Sequence, residues 1–152
     1  MTLDDRIVRA ALDVGLGRSY GHTGDATQDC VRLWYAILCL VYIGAGLEQH
    51  SDEMHLHGYP LGSFANAEAI VDLGLGEYVD TPQAGRWHYC QGWRHSGSGH
   101  CWGWYEPPAV EIGSSMVLEA TTRTTDWYAP EFWADRRRRF DEVRIVALRE
   151  EA

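Results

Sequence analysis

Apolar residues recur at helical spacing at the start of the chain, where Leu3, Ile7, Ala11 and Val14 form one stripe and Asp4, Asp5, Arg6, Arg9 and Asp13 occupy the other faces. The spacing predicts an amphipathic helix over residues 3–15, closed near Gly15 and Gly17. A polar stretch, GRSYGHTGDATQD, leads into CVRLWYAILCLVYIG, which is apolar on nearly every face. That is how a helix buried in the middle of a domain reads, with Asp29 as its N-cap and Gly44 as its stop. Residues 48–63 are rich in His and Gly, and Ser63 is placed to cap a short third helix, FANAEAIVDLG.

After Pro82 the period drops from helical to two. RWHYCQGW, GHCWGWYE, SSMVLEAT and DEVRIVAL alternate as strands do, separated by HSGSG, by EPPAVEIG and by the irregular TTRTTDWYAPEFWADRRRR. Helices followed by antiparallel strands predict an α+β fold rather than alternating βαβ units, with no internal repeat.

The 152 residues suit one domain, spanning 1–152. All 13 of the Lys+Arg residues are Arg, so a phosphate-loop Lys, a kinase Lys and a Schiff-base Lys are excluded. A formal charge of −9 repels polyphosphate backbones and anionic membranes, so neither is expected as a partner. The single basic run, Arg136-Arg137-Arg138-Arg139, is flanked by Asp135, Asp141 and Glu142 and reads as solvated or locally paired. Four cysteines without a C-x-x-C pair point to a reduced chain. The opening MTLDDRIVRAALDVG carries acids where a signal peptide needs a basic region. The longest apolar run, Leu33 to Leu47, is about 15 residues against the ~20 that span a bilayer. A soluble protein, cytoplasmic at synthesis, is therefore expected.

Cys30 opens the buried helix directly after Asp29. A helix N-terminus carries roughly half a positive charge and free N–H groups, which lower a thiol pKa and can hold an oxyanion beside the sulfur. The best-placed base is His100, at the start of GHCWGWYE. If residues 98–105 and 114–121 pair as a hairpin, His100 faces Glu119, a carboxylate able to hold the imidazole in one tautomer. Trp102 and Trp104 share that face and would wall the site, although packing against the central helix is the commoner use of such rings.

Two other classes compete. His55 and His57, with His50 and Glu53 nearby, and the later cluster of His88, Cys90, His95, His100 and Cys101 contain zinc-ligand types, but without the paired spacing of closed sites. Seven Trp and eight Tyr could furnish an aromatic wall-binding platform, with Trp127, Tyr128 and Trp133 the rings least explained by a core. No metal or cofactor is expected.

The segment GRSYGHTGDATQDCVRLWYAIL resembles the active-site entry of the NlpC-type papain-like cysteine peptidases, with Asp-Cys heading a central helix. GSGHCWGWYE is similar to that family's Gly-His strand, and MVLEAT stands where its next strand carries an orienting polar residue. The resemblance implies a papain-like fold with Cys30 as nucleophile, His100 as base, Glu119 as orienting residue and Tyr20 over the oxyanion site. It implies hydrolysis of an amide in peptidoglycan peptides, typically between γ-D-glutamate and a diamino acid, by a phage lysin, a tail enzyme or an interbacterial effector. An immunity or virion protein would then be a partner, and acyl transfer is the related alternative. The sequence departs from the pattern at Val31 and Arg32, where small residues usually follow the Cys, at Gly85-Arg86, where Gly-Asp is usual, and at Glu119, where His is commoner.

Overall fold

The computed structural model describes residues 1–14, 19–20, 27–28, 30–50, 61–108, 115–120, 125–127 and 131–150. Helix α1, Leu3–Asp13, is opened by a capping box in which Thr2 and Asp5 exchange side-chain to backbone hydrogen bonds. It buries Leu3, Ile7, Ala10 and Ala11. The apolar stripe thus lies where its spacing put it, while Gly15 and Gly17 fall outside the described residues. Two short strands, β1 (Ser19–Tyr20) and β2 (Thr27–Gln28), pair in parallel just ahead of helix α2, Cys30–Val41. Eight of the residues of α2 are buried, from Cys30 through Trp34 to Val41, and Gly44 follows with a φ of 81°. Left-handed backbone of this kind is open to glycine at little cost, which ends the helix near the expected stop.

Helix α3 runs over Leu61–Asp72, so Ser63 lies inside it instead of capping it. The chain then enters strands β3 (Gly76–Val79), β4 (Arg86–Trp93), β5 (Gly99–Glu106), β6 (Met116–Ala120) and β7 (Thr125–Trp127), a five-residue helix α4 (Trp133–Arg137), and strand β8 (Glu142–Leu148). Strands β3 to β8 form one six-stranded sheet in the order β3-β8-β4-β5-β6-β7, with every neighbouring pair antiparallel. The architecture is α+β. The sheet has two strands more than the four that alternation marks, because Gly76–Val79 and Thr125–Trp127 are too short to display a period.

Both faces of the sheet are covered. On one, Trp34, Ile37 and Leu38 of α2 join Ile7 of α1, Ile70 of α3 and the strand residues Trp87, Tyr89, Cys101, Leu118 and Val146. On the other, Cys90, Trp102, Trp104, Val117, Phe140 and Ile145 form a second cluster, with Trp133 of α4 packed against it. Trp102 and Trp104 therefore do not pack against the central helix as expected; they point away from it, under α4. Alternation explains this, since Cys101 and Gly103, the residues between them, face α2.

Strands β5 and β6 pair as Gly103↔Leu118, Trp104↔Val117 and Tyr105↔Met116. This register is displaced by two residues from the one that sets His100 opposite Glu119. Ser115, assigned to the hairpin by pattern, is engaged elsewhere: it bridges to Glu131, and its hydroxyl donates to Glu106 Oε2 at 3.0 Å. An even displacement leaves every side chain on its original face, so Glu119 stays on the face of His100 but lies diagonal to it.

Candidate active site

The first residues of β5 run beside the head of α2. Cys30, 3% exposed, is hydrogen-bonded through its side chain to both His100 and Cys101. The β5–β6 pairing occupies Gly103–Tyr105, so His100 and Cys101 lie beyond that ladder, at the end of the strand that meets the helix. The imidazole of His100 stacks 6.1 Å from the Trp102 ring at an interplanar angle of 15°. Its Nε2 stands 2.7 Å from Glu119 Oε1. With Nε2 committed to the carboxylate, Nδ1 is the ring nitrogen left for the sulfur.

The protonation states follow from these contacts. The hydrogen bond from the Cys101 thiol is the largest influence on Cys30; burial opposes it, and the hydrogen bond and charge of His100 add to it, bringing the Cys30 pKa down to about 5. Burial by itself would pull His100 down, but its bonds to Cys30 and Glu119 more than offset this and raise its pKa to about 9. Burial would likewise raise Glu119, yet bonds from His100 and Arg136 bring it down to about 2. Between about pH 5 and about pH 9 the centre is a thiolate beside an imidazolium beside a carboxylate.

A pH-dependent reactivity follows. Carboxamidomethylation of Cys30 by iodoacetamide, read by peptide mapping, is expected to be half-maximal near pH 5, far below an ordinary thiol. Cys101→Ala removes the leading hydrogen bond and is expected to move that midpoint upward by about one pH unit. An unperturbed midpoint near pH 9 in the parent chain would show that no thiolate is stabilised here.

The charged neighbour of this centre was hidden in the arginine run. Arg136, 2% exposed, donates from its two terminal nitrogens to both oxygens of Glu119, each at 2.8 Å, and from Nε to Glu131 Oε2 at 2.8 Å. The other three behave as the run's composition suggests: Arg137 donates to the Phe140 carbonyl, Arg138 pairs with Asp135, and Arg139 reaches Glu131. One local signal did exist, because Arg136 follows Trp133 by three residues and so shares the inward face of α4.

The remaining site residues are placed as follows. Tyr20 lies in β1, but its side chain, like all of Asp29, falls outside the described residues. Trp102 is fully buried between Phe140, at 5.2 Å, and His100, and so supports the imidazole from one side. Cys101, fully buried, is hydrogen-bonded to Cys30. Cys90 is buried in the second cluster, and Cys39, partly buried, packs against the first.

The zinc-ligand types do not converge among the described residues. His88 has both ring nitrogens engaged, Nδ1 with the Trp104 carbonyl at 3.1 Å and Nε2 as acceptor from the Gln83 N–H at 2.9 Å. Burial pushes its pKa down to about 4, so it stays neutral. His95 is exposed beside Asp141, and His55, His57 and Glu53 lie outside the described residues. Of the unexplained rings, Trp133 packs on Trp104 at 5.1 Å and on Trp102 at 6.2 Å, partly buried against the second cluster. Tyr128 and the side chain of Trp127 fall outside the described residues. No described helix is long and apolar enough to cross a membrane. Comparison with family models, with curated proteins and with solved structures returned no match.

Proposed function

We propose that the chain is a cysteine-dependent amidohydrolase of papain-like, NlpC-type fold, acting on the peptides of peptidoglycan. The observation that carries the chemistry is the chain of contacts at the head of α2: the Cys30 thiol bonded to His100, and His100 bonded at 2.7 Å to Glu119. The choice of peptidoglycan rests on the resemblance of the Asp-Cys, Gly-His and third-strand segments to that family.

The mechanism follows from the arrangement. The Cys30 thiolate attacks the carbonyl carbon, and the positive end of α2, at whose head Cys30 stands, receives the charge that develops on oxygen. His100, protonated at both nitrogens, gives its Nδ1 proton to the departing amine, leaving a thioester on Cys30. Water then loses a proton to His100 and attacks the thioester carbonyl, releasing the acid and regenerating the thiolate–imidazolium pair. Glu119 accepts from Nε2 throughout, which keeps the ring in one orientation and stabilises its charged form. Tyr20 and Asp29 complete the site by resemblance, with Tyr20 as a second oxyanion donor, and Trp102 backs the imidazole.

Digestion of purified peptidoglycan, with mass spectrometry of the released muropeptides, tests the reading. New amine and carboxyl termini in the parent digest and none with Cys30→Ala are the expected result. A parent digest without new termini overturns the substrate class, and equal cleavage by the Cys30→Ala chain overturns the nucleophile.

A further inference from the structure

Glu119 is 5% exposed, on the sheet face that also carries Trp102 and Val117. A carboxylate taken this far out of water keeps its charge only if its lone pairs are met. His100 meets one of them, at Oε1. Arg136 meets both oxygens in a two-pronged contact and is itself held by Glu131, while its guanidinium carbon lies 5.3 Å over the Trp102 ring. The same indole therefore stacks against the imidazole and supports the guanidinium.

We propose that Arg136 is a positioning residue of the catalytic centre: its fork fixes the plane and the charge of Glu119, so that the working unit is the four-membered chain Cys30, His100, Glu119, Arg136, anchored at its far end by Glu131. The alternative is that the ion pair merely docks α4 onto the sheet. The proposal rests on the catalytic reading above, but its readout needs no substrate.

The two roles differ in what they do to protons. The groups facing Glu119 are His100 from β5 with Cys30 behind it, and Arg136 from α4 with Glu131 and Arg139 behind it. Cys90 of β4, a thiol pushed well above its usual range by burial, lies near Arg136, and Asp126 is the backbone partner of Glu119 on β7. Removing the Arg136 charge leaves Glu131 paired with Arg139 and leaves the Cys30 thiolate and the Glu119 carboxylate sharing a single imidazolium. Such a cluster takes up a proton at higher pH, and Cys30, more basic than Glu119, takes it first. The midpoint of Cys30 alkylation therefore rises. A residue that only docks α4 lowers the melting temperature and leaves the midpoint where it was.

The full-length chain is alkylated with iodoacetamide from pH 4 to pH 10, with Cys30 followed by peptide mapping and folding by circular dichroism. Arg136→Met and Arg136→Gln are expected to move the midpoint up by about one pH unit, a tenfold change in proton concentration. Arg136→Lys keeps the charge and is expected to return the midpoint most of the way, and Arg137→Met is expected to change nothing. Folded Met or Gln variants with the parent midpoint overturn the proposal, and failure of both to fold assigns Arg136 a structural role and overturns it equally. Hydrolysis by Cys30→Ala is read separately: if it persists the catalytic reading fails, whatever Arg136 does to the alkylation midpoint.

Discussion

Cys30→Ala is expected to abolish amide hydrolysis, by at least ~10⁴-fold, while the chain remains folded. The size follows from the role, since no other described thiol can take its place. Cys39 lies in the middle of α2, Cys90 is on the opposite sheet face from the helix, and Cys101 touches Cys30 from the strand. The Cys30 side chain is small and stands at a helix end, so truncation removes one sulfur and its hydrogen bonds without opening a large cavity. His100→Ala is expected to lose activity on the same scale, because it withdraws both the proton donor for the leaving amine and the cation that holds the thiolate. The two losses are strongly non-additive: once the thiolate is gone the base has nothing to activate, so the double variant should be little worse than either single one. Initial rates on a muropeptide substrate, with melting temperatures measured in parallel, check this. A Cys30→Ala chain with a tenth of parent activity would remove the nucleophile from the scheme.

The pH dependence of that activity carries the same signature. Cys30 must be deprotonated, which holds above about pH 5, and His100 must be protonated, which holds below about pH 9. Turnover is thus expected to be bell-shaped between these limits, while alkylation, which needs only the thiolate, does not fall on the alkaline side.

How much of this centre can be read from residues alone depends on the range of the interaction. The N-terminal position of Cys30 in a buried helix is a local matter of apolar runs and stop signals, and it is plain in CVRLWYAILCLVYIG. The shared face of His100, Trp102 and Trp104 follows from a period of two. The register of β5 on β6 is different: alternation is blind to a displacement of two, which sets Gly103 opposite Leu118 and leaves Ser115 engaged with Glu131 and Glu106. Arg136 was the least legible residue. Composition places an arginine among three others in water, and it is the buried carboxylate on a distant strand that draws this one inward. The direction in which the two tryptophans point has the same origin, since α4 and Phe140 arrive from later in the chain to cover a face that the helices leave open.

Gly103→Ala is expected to be the most damaging single methyl group that can be added near the site. A Cβ at this position would stand 1.9 Å from Trp34 Cζ2 and 2.3 Å from Cη2, distances no relaxed contact tolerates. Trp34 has little freedom to yield. It is fully buried, its Nε1 donates to the Leu118 carbonyl at 3.1 Å, and its ring lies against Trp87 and Tyr89 with centroids 6.3 and 6.2 Å away. The strain must therefore pass to the backbone and lift α2 from β5. Overpacking of this kind costs about 1–3 kcal/mol, which in a chain of this size lowers the melting temperature by roughly 3–10 °C. The functional loss should be larger than the stability loss. Cys30 is one helical turn before Trp34, so a helix raised at Trp34 carries the thiol away from His100. A misplacement of ~1 Å at a reacting group can cost about 10²-fold in rate. The pairing of the two residues can be tested directly: Trp34→Leu in the Gly103→Ala background makes room for the methyl group and is expected to restore part of the Cys30 thiolate, even though Trp34→Leu alone is destabilising. Differential scanning calorimetry and the Cys30 alkylation midpoint report the two effects separately. A Gly103→Ala chain with the parent melting temperature and midpoint would mean that the contact between α2 and β5 does not set the position of the nucleophile.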